Sequence, residues 1–258
     1  MKPENSFIQD GDDPFAAPPA AYEMVGSVRY YHTLEQGTQE WLETRLGVLT
    51  ASEVKHILTP TLKLAANDKE RSHLYELLSQ RITKFVEPHF MSEDMMRGHE
   101  DEVDACILYS KEREPVEQCG FITNDKWGFT LGYSPDGLVG SRGLVECKSR
   151  RPKFQVQTII ENVVDADGKT IPTEYVMQHQ GGMLISERDW IDFISYSGGL
   201  PMAVIRVHPD PVIQNAIVEA AGAFEDRLAK ALEKYTDATN SRPNLFATER
   251  KIYEEISL

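Results

Sequence analysis

The sequence predicts an α/β fold: one domain in which a mixed central sheet is flanked by helices. Three features carry that expectation. Short runs rich in β-formers, at residues 119–122, 127–133, 144–148, 190–196 and 202–208, read as strands. Around and between them lie longer stretches whose apolar residues recur at helical spacing. A chain of 258 residues with 41% hydrophobic content can bury one sizeable core.

The elements follow in chain order. Residues 1–28 are rich in Pro, Ala and acids without periodicity, and read as an arm with no chemistry of its own. Thr38 can cap a helix bearing Trp41, Leu42 and Leu46, which Gly47 ends. Thr50-Ala51-Ser52-Glu53 is a capping box, Thr50 at N-cap and Glu53 at N3, ahead of Val54, Ile57 and Leu58; Pro60 stops that helix. It sets the Ser52 hydroxyl and free N–H groups at a helix N-terminus, where anions bind. Arg45 either aims its guanidinium at the same spot or pairs with an acid such as Glu43.

Residues 69–86 carry Leu74, Leu77, Leu78, Ile82 and Phe85 on the face of a core helix. In the next helix, 91–111, Met95, Met96, Val103, Cys106, Ile107 and Tyr109 form an apolar arc that includes His99 and Glu102. Asp101 and Asp104 point away from it. A buried carboxylate needs a cation or donors, so Glu102 is either a metal-site acid or the partner of an arginine. His99 reads as a core histidine. Asp125 follows the strand at 119–122, as a turn residue or a further acid.

Residues 154–160 read as strand or helix, 165–168 as a turn. Pro172 opens a helix over 175–185 that puts Tyr175, Gln178 and Gly182 along one side. Gly181 and Gly182 weaken it, and a ligand or backbone passing closely is one reason to keep them. After the two strands at 190–208, Pro211 begins a last helix to about Tyr235, with a polar tail beyond. The expected organisation is therefore an arm at 1–28, a domain at 29–235 and a tail at 236–258.

The chemistry gathers at Ser134-Pro135-Asp136-Gly137 and Leu144-Val145-Glu146-Cys147-Lys148. Strand side chains alternate, so Leu144, Glu146 and Lys148 share a face, with Glu146 and Lys148 roughly 6 to 7 Å apart. A hairpin centred near Ser141 brings Asp136 opposite Glu146, Cβ atoms roughly 5 Å apart. Two carboxylates that close need a proton or a divalent cation between them, and magnesium suits hard oxygen ligands with room left for a phosphate. The bland alternative is a surface Glu–Lys pair.

Composition excludes several classes. Three cysteines without CxxC spacing support neither a disulfide framework nor a structural zinc site. No run of eighteen apolar residues and no signal-peptide pattern occur, so the expectation is a soluble cytoplasmic protein with no membrane partner. A net charge of −14 argues against a simple nucleic-acid binder, yet 142–153 holds five basic residues (Arg142, Lys148, Arg150, Arg151, Lys153) and one acid, Glu146.

Pro135-Asp136 followed by Glu146-Cys147-Lys148 matches the PD-(D/E)xK nuclease signature. Together with Thr38 to Val54, Gly98-x-x-x-Glu102, Ser134 to Leu138 and Tyr175-x-x-Gln178-x-Gln180-Gly181-x-Met183, in this order, the chain resembles the lambda exonuclease and YqaJ-type viral recombinase family. The resemblance implies a restriction-endonuclease-like domain and a magnesium-dependent deoxyribonuclease. The enzyme would digest double-stranded DNA ends 5′ to 3′, leaving 3′ overhangs for phage-type recombination by strand annealing.

Carried onto this sequence, the resemblance implies that Asp136, Glu146 and the Cys147 carbonyl bind metal, with Glu102 at a second ion. Two Mg2+ ions are implied, Mn2+ substituting. Lys148 would orient or activate the attacking water with help from Gln178, and Arg45 and Ser52 would hold the 5′-phosphate. Asp125 lies one residue off the family's acid in that region. A single-strand annealing protein and a homo-oligomer, a trimeric ring by analogy, are the implied partners. The alternatives are an endonuclease on the same core and a non-catalytic DNA-end-binding module.

Overall fold

A computed structural model describes residues 20–87 and 93–250. Residues 1–19 of the expected arm, the start of the helix predicted from 91, and 251–258 of the tail lie outside them. A short hairpin comes first, β1 (Glu23–Val25) and β2 (Val28–Tyr31), turning at Gly26 with its positive φ of 64°. Its first strand, the turn and Val28 belong to the stretch expected to be an arm. Its β2 is buried against the core at Val28 and Tyr30, which outweighs the lack of pattern before it.

Helix α1 (Gln39–Arg45) is capped by Thr38, whose Oγ1 accepts from the Trp41 N–H at 3.3 Å. After β3 (Leu49–Thr50) the capping box forms as expected, the Thr50 N–H donating to Glu53 Oε2 at 2.8 Å. The helix it opens is short, one 3₁₀ turn (Ala51–Glu53) and then α2 (Val54–Ile57), because Leu58 is already extended two residues before Pro60. A helix so short carries little dipole, which weakens the anion argument made from the sequence. Helices α3 (Asp68–Thr83) and α4 (Glu93–Glu112) follow.

Strands β4 (Phe121–Asn124) and β5 (Leu131–Tyr133) complete a sheet of order β1-β2-β4-β5-β3, antiparallel except for the β3–β5 pair. The chain then crosses to a second sheet, β6 (Gly137–Val139), β7 (Gly143–Ser149), β8 (Trp190–Tyr196) and β9 (Ala203–Val207), in that order. Here β7 and β8 run parallel and the outer pairs antiparallel. The one mixed sheet expected is thus two mixed sheets. Pro135, which has no N–H to give a ladder, stands at the crossing between β5 and β6.

Between β7 and β8 lie α5 (Pro152–Gln157), a π-helical turn (Thr158–Asp165) and α6 (Thr173–Ser186). The open choice at 154–160 therefore resolves as helix. Helix α7 (Pro211–Ser241) continues past Tyr235 because nothing breaks it before Arg242, which is extended ahead of Pro243.

The second sheet is covered on both faces. Leu138, Leu144 and Ile191 join the main core with Met183 and Ile185 of α6 and Ile217 and Phe224 of α7. Val139, Val145, Cys147 and Ile194 pack against Ala105 and Tyr109 of α4. The α4 face is only part of the arc predicted: Glu102, Cys106 and Tyr109 keep to it, but Val103 and Ile107 remain 57% and 63% exposed. The residues turned to β7 are Glu102, Ala105, Cys106 and Tyr109, spaced i, i+3, i+4, i+7, and the apolar side chains beside them carry the periodicity without the burial. His99 is likewise exposed, not a core residue.

Candidate active site

The β6–β7 register pairs Gly137 with Val145, Leu138 with Leu144 and Val139 with Gly143, centred at residue 141 as the sequence predicts. The next pair outward is Asp136 and Glu146. Asp136 completes this end with its side chain, Oδ2 accepting from the Cys147 N–H at 2.5 Å. The strand faces also divide as expected, Val145 and Cys147 toward α4 and Glu146 and Lys148 toward α6.

Glu146 is the centre of the site, with only 2% of its side chain exposed. Its Oε1 accepts from Lys148 Nζ at 2.7 Å and from Gln178 Nε2, and its Oε2 accepts from the Tyr133 hydroxyl at 2.6 Å. Such a buried carboxylate is tolerable because it is held by a cation and two neutral donors. Burial works against the Lys148 charge, but Glu146 and Asp136 more than offset it and hold the amine above its ordinary value. The pairing favours the charged amine and places it as a hydrogen-bond donor beside the carboxylates.

Asp136 is the strained member. Burial, then Glu146, then Glu102 push its carboxyl well above the usual range, and Lys148 offsets this only in part. The sign for folding follows: Asp136 must ionise against its surroundings, so stability falls as pH rises above the ordinary aspartate range. Glu102, on α4, is 31% exposed and shares one cleft with Asp136 and another, of about 620 Å³, with Lys148. The second cleft is lined by Arg97, Lys148, Arg150, Arg151 and His99 with Glu102 as its acid, so this acidic protein is basic where it opens.

As the side chains stand, no three His, Cys, Asp or Glu among the described residues close around one point. The donor set nevertheless fits a divalent cation. Glu102, Asp136 and Glu146 are hard oxygen ligands; after burial, the charges of Glu146 and Glu102 hold the Asp136 carboxyl up, a repulsion that a divalent cation between them would relieve. His179 offers no competing base: burial pushes it down to about 4, and its Nδ1 lies 2.8 Å from the Tyr175 carbonyl oxygen.

The expected phosphate residues lie on α1 and on the turn before α2. The Arg45 guanidinium stacks on the Trp41 ring at 4.2 Å and makes no hydrogen bond or ion pair among the described residues. Burial lowers its pKa, with Glu53 opposing that. Trp41 in turn donates from Nε1 to the Gly120 carbonyl and to Ser134 Oγ, 3.0 and 3.3 Å away. Arg45 is thereby tied to the strand end that carries Asp136. Ser52 shares a 3.2 Å hydrogen bond with Thr50 Oγ1.

Asp125 is not gathered in. It pairs with Arg29 at 2.7 Å, beyond the end of β4 remote from Tyr133 in the β4–β5 register. Asp101, expected to point away, instead accepts from Ser149 Oγ at the end of β7. Two contributors escaped the sequence reading. Gln36 donates to the Pro135 carbonyl at 2.8 Å, and Tyr133 reaches Glu146. The adjacent glycines of α6 were the available signal for the second: a Cβ on Gly182 would stand 2.8 Å from Tyr133 Cζ, and one on Gly181 3.2 Å from Ala51 Cβ.

Comparison with known proteins covers the same motifs. The crystal structure of an alkaline exonuclease, LHK-Exo from Laribacter hongkongensis, superposes with a TM-score of 0.67 and 30% identity over 79% of this chain and 98% of that one. LHK-Exo in complex with dAMP gives 0.68 and 31% over the same shares. "Uncharacterized protein R354" of Acanthamoeba polyphaga mimivirus is 27% identical over 169 residues, 62% of this chain but 29% of the viral protein, so the chain spans under a third of that relative's length. The profile of the YqaJ-like viral recombinase domain matches residues 40–189, which hold Arg45, Ser52, Glu102, Asp136, Glu146, Lys148 and Gln178. With more than half of its length in that match, the chain belongs to the YqaJ-like viral recombinase domain family.

Proposed function

We propose that the chain is a metal-dependent exonuclease that digests double-stranded DNA from the 5′ end and leaves a 3′ single strand for recombination by annealing. The observation that carries this reading is Lys148 paired to a buried Glu146, with Asp136 and Glu102 crowded against them, beside an open basic cleft. The alkaline exonuclease named above, crystallised with dAMP, supports a terminal nucleotide as the unit released.

Glu102, Asp136, Glu146 and the Cys147 carbonyl would hold two Mg2+ ions, with Mn2+ able to substitute. When bound, such ions supply Lewis acidity to the phosphodiester and to the attacking water. The remaining work falls to the chain itself. Lys148 donates a hydrogen bond to the attacking or phosphate oxygen and stabilises its charge. Gln178, already on Glu146, orients the same region. Arg45, desolvated and without an ion pair, takes the 5′-phosphate with Ser52. A single-strand annealing protein and further copies of the chain are the proposed partners, and host cytoplasm the proposed compartment; no described helix is long and apolar enough to cross a membrane.

Digestion of linear duplex with 5′-phosphate or 5′-hydroxyl ends, against closed circular duplex, tests this directly. The expected order is phosphate ends fastest and circles untouched; circles cut as fast as linear DNA would establish the endonuclease alternative instead. Arg45→Ala should lower the phosphate-to-hydroxyl rate ratio roughly 10- to 100-fold, the weight of a hydrogen-bonded charge. An unchanged ratio would remove the pocket from the account.

A further inference from the structure

We propose that Tyr133 is the positioning residue for Glu146: its hydroxyl fixes the carboxylate so that a single lone pair, on Oε2, stays open toward a cation. This rests on the reading of Glu146 as a metal ligand and adds how that ligand is presented. An ionised carboxylate offers about four acceptor sites. Lys148 and Gln178 occupy both on Oε1, and Tyr133 occupies one on Oε2. One direction is left. Glu146 then binds through one oxygen, leaving places on a small octahedral cation for water and phosphate.

The ring that carries the hydroxyl has no freedom to leave. Tyr133 is 1% exposed and lies in the main core. Its Cζ, Cε1 and Cε2 stand 2.8, 3.0 and 3.1 Å from where a Cβ on Gly182 would be. An alanine there would displace the ring by clash, and a glycine in mid-helix is less stabilising than alanine. Gly182 therefore has a specific use: it makes the space that lets Tyr133 reach across from β5 to β7. The hydroxyl makes one hydrogen bond among the described residues, to Glu146.

The test is Mn2+ binding to the full chain without DNA, measured by calorimetry for wild type and Tyr133→Phe. Phenylalanine keeps the ring and removes only the O–H. The expected result is a dissociation constant raised about 10-fold or more, the usual scale for groups that orient a ligand, with the melting temperature within a few degrees of wild type. Should the variant not fold, Tyr133→3-fluorotyrosine keeps size and hydroxyl, and its 19F resonance should move on titration with Mg2+. Wild type and Tyr133→Phe binding Mn2+ equally, or a 19F signal indifferent to Mg2+ in a protein that binds it, would overturn the proposal alone. Wild type that binds no Mn2+ would overturn it together with the proposed function.

Discussion

Glu146→Gln is expected to lose at least about 10³-fold in the rate of end digestion at saturating Mg2+, while the protein stays folded. Size is conserved, so the core around Leu144 and Tyr133 is not opened. The polar contacts also survive. The amide oxygen can accept from Lys148 and Gln178 as Oε1 does now, and the amide NH2 can donate to the Tyr133 oxygen once that hydroxyl turns its proton away. What disappears is one negative charge among Glu102, Asp136 and Glu146. Because Glu146 is the leading charged neighbour raising the Asp136 carboxyl, its loss makes Asp136 easier to ionise in the metal-free protein and weaker as part of a cation clamp. Single-turnover digestion of a 5′-labelled duplex alongside thermal melting separates the two effects. Full activity in a folded, pure preparation would defeat the site assignment.

Lys148→Met comes second, with an expected loss of about 10²- to 10³-fold in the single-turnover rate and little change in the DNA concentration that half-saturates it. Methionine keeps the length of the stem and removes the ammonium. Lys148 is already committed to Glu146 at 2.7 Å and held charged by Glu146 and Asp136, so its contribution is that of a donor close to the reacting oxygens. Removing it leaves Glu146 with Tyr133 and Gln178 alone, and breaking a largely buried pair costs about 3 kcal/mol of metal-free stability. Added Mg2+ should restore part of that, since a ligand that binds only the folded state stabilises it. A rate unchanged at saturating DNA would mean that Lys148 serves the fold and not the reaction.

What the sequence disclosed was whatever depends on near neighbours. The two-residue alternation of a strand sorted Glu146 and Lys148 from Val145 and Cys147, and the turn at Gly140 to Gly143 fixed the register that sets Asp136 against Glu146. The capping box at Thr50 and the cap at Thr38 rest on contacts three residues long, and both form. What stayed hidden depends on which faces meet. On α4, helical periodicity located an apolar arc, but the strand it packs against selects Ala105 and Tyr109 and leaves Val103 and Ile107 in water. Asp101 has the same periodic phase whether or not Ser149 lies beside it. The division into two sheets at Ser134 to Asp136 is a matter of strand pairing, which no local pattern states. Tyr133 was hidden for the same reason, since its partners, Gly182 and Glu146, come from two other elements.

The central claim is that Glu102, Asp136 and Glu146 are a cation clamp beside the Lys148 ammonium. Anomalous diffraction from crystals soaked in Mn2+ tests it most directly. Density bounded by those three carboxylates, and lost in Glu146→Gln, is the expected result. A fully soaked crystal with no peak there, or with its Mn2+ held only by other residues, would contradict it.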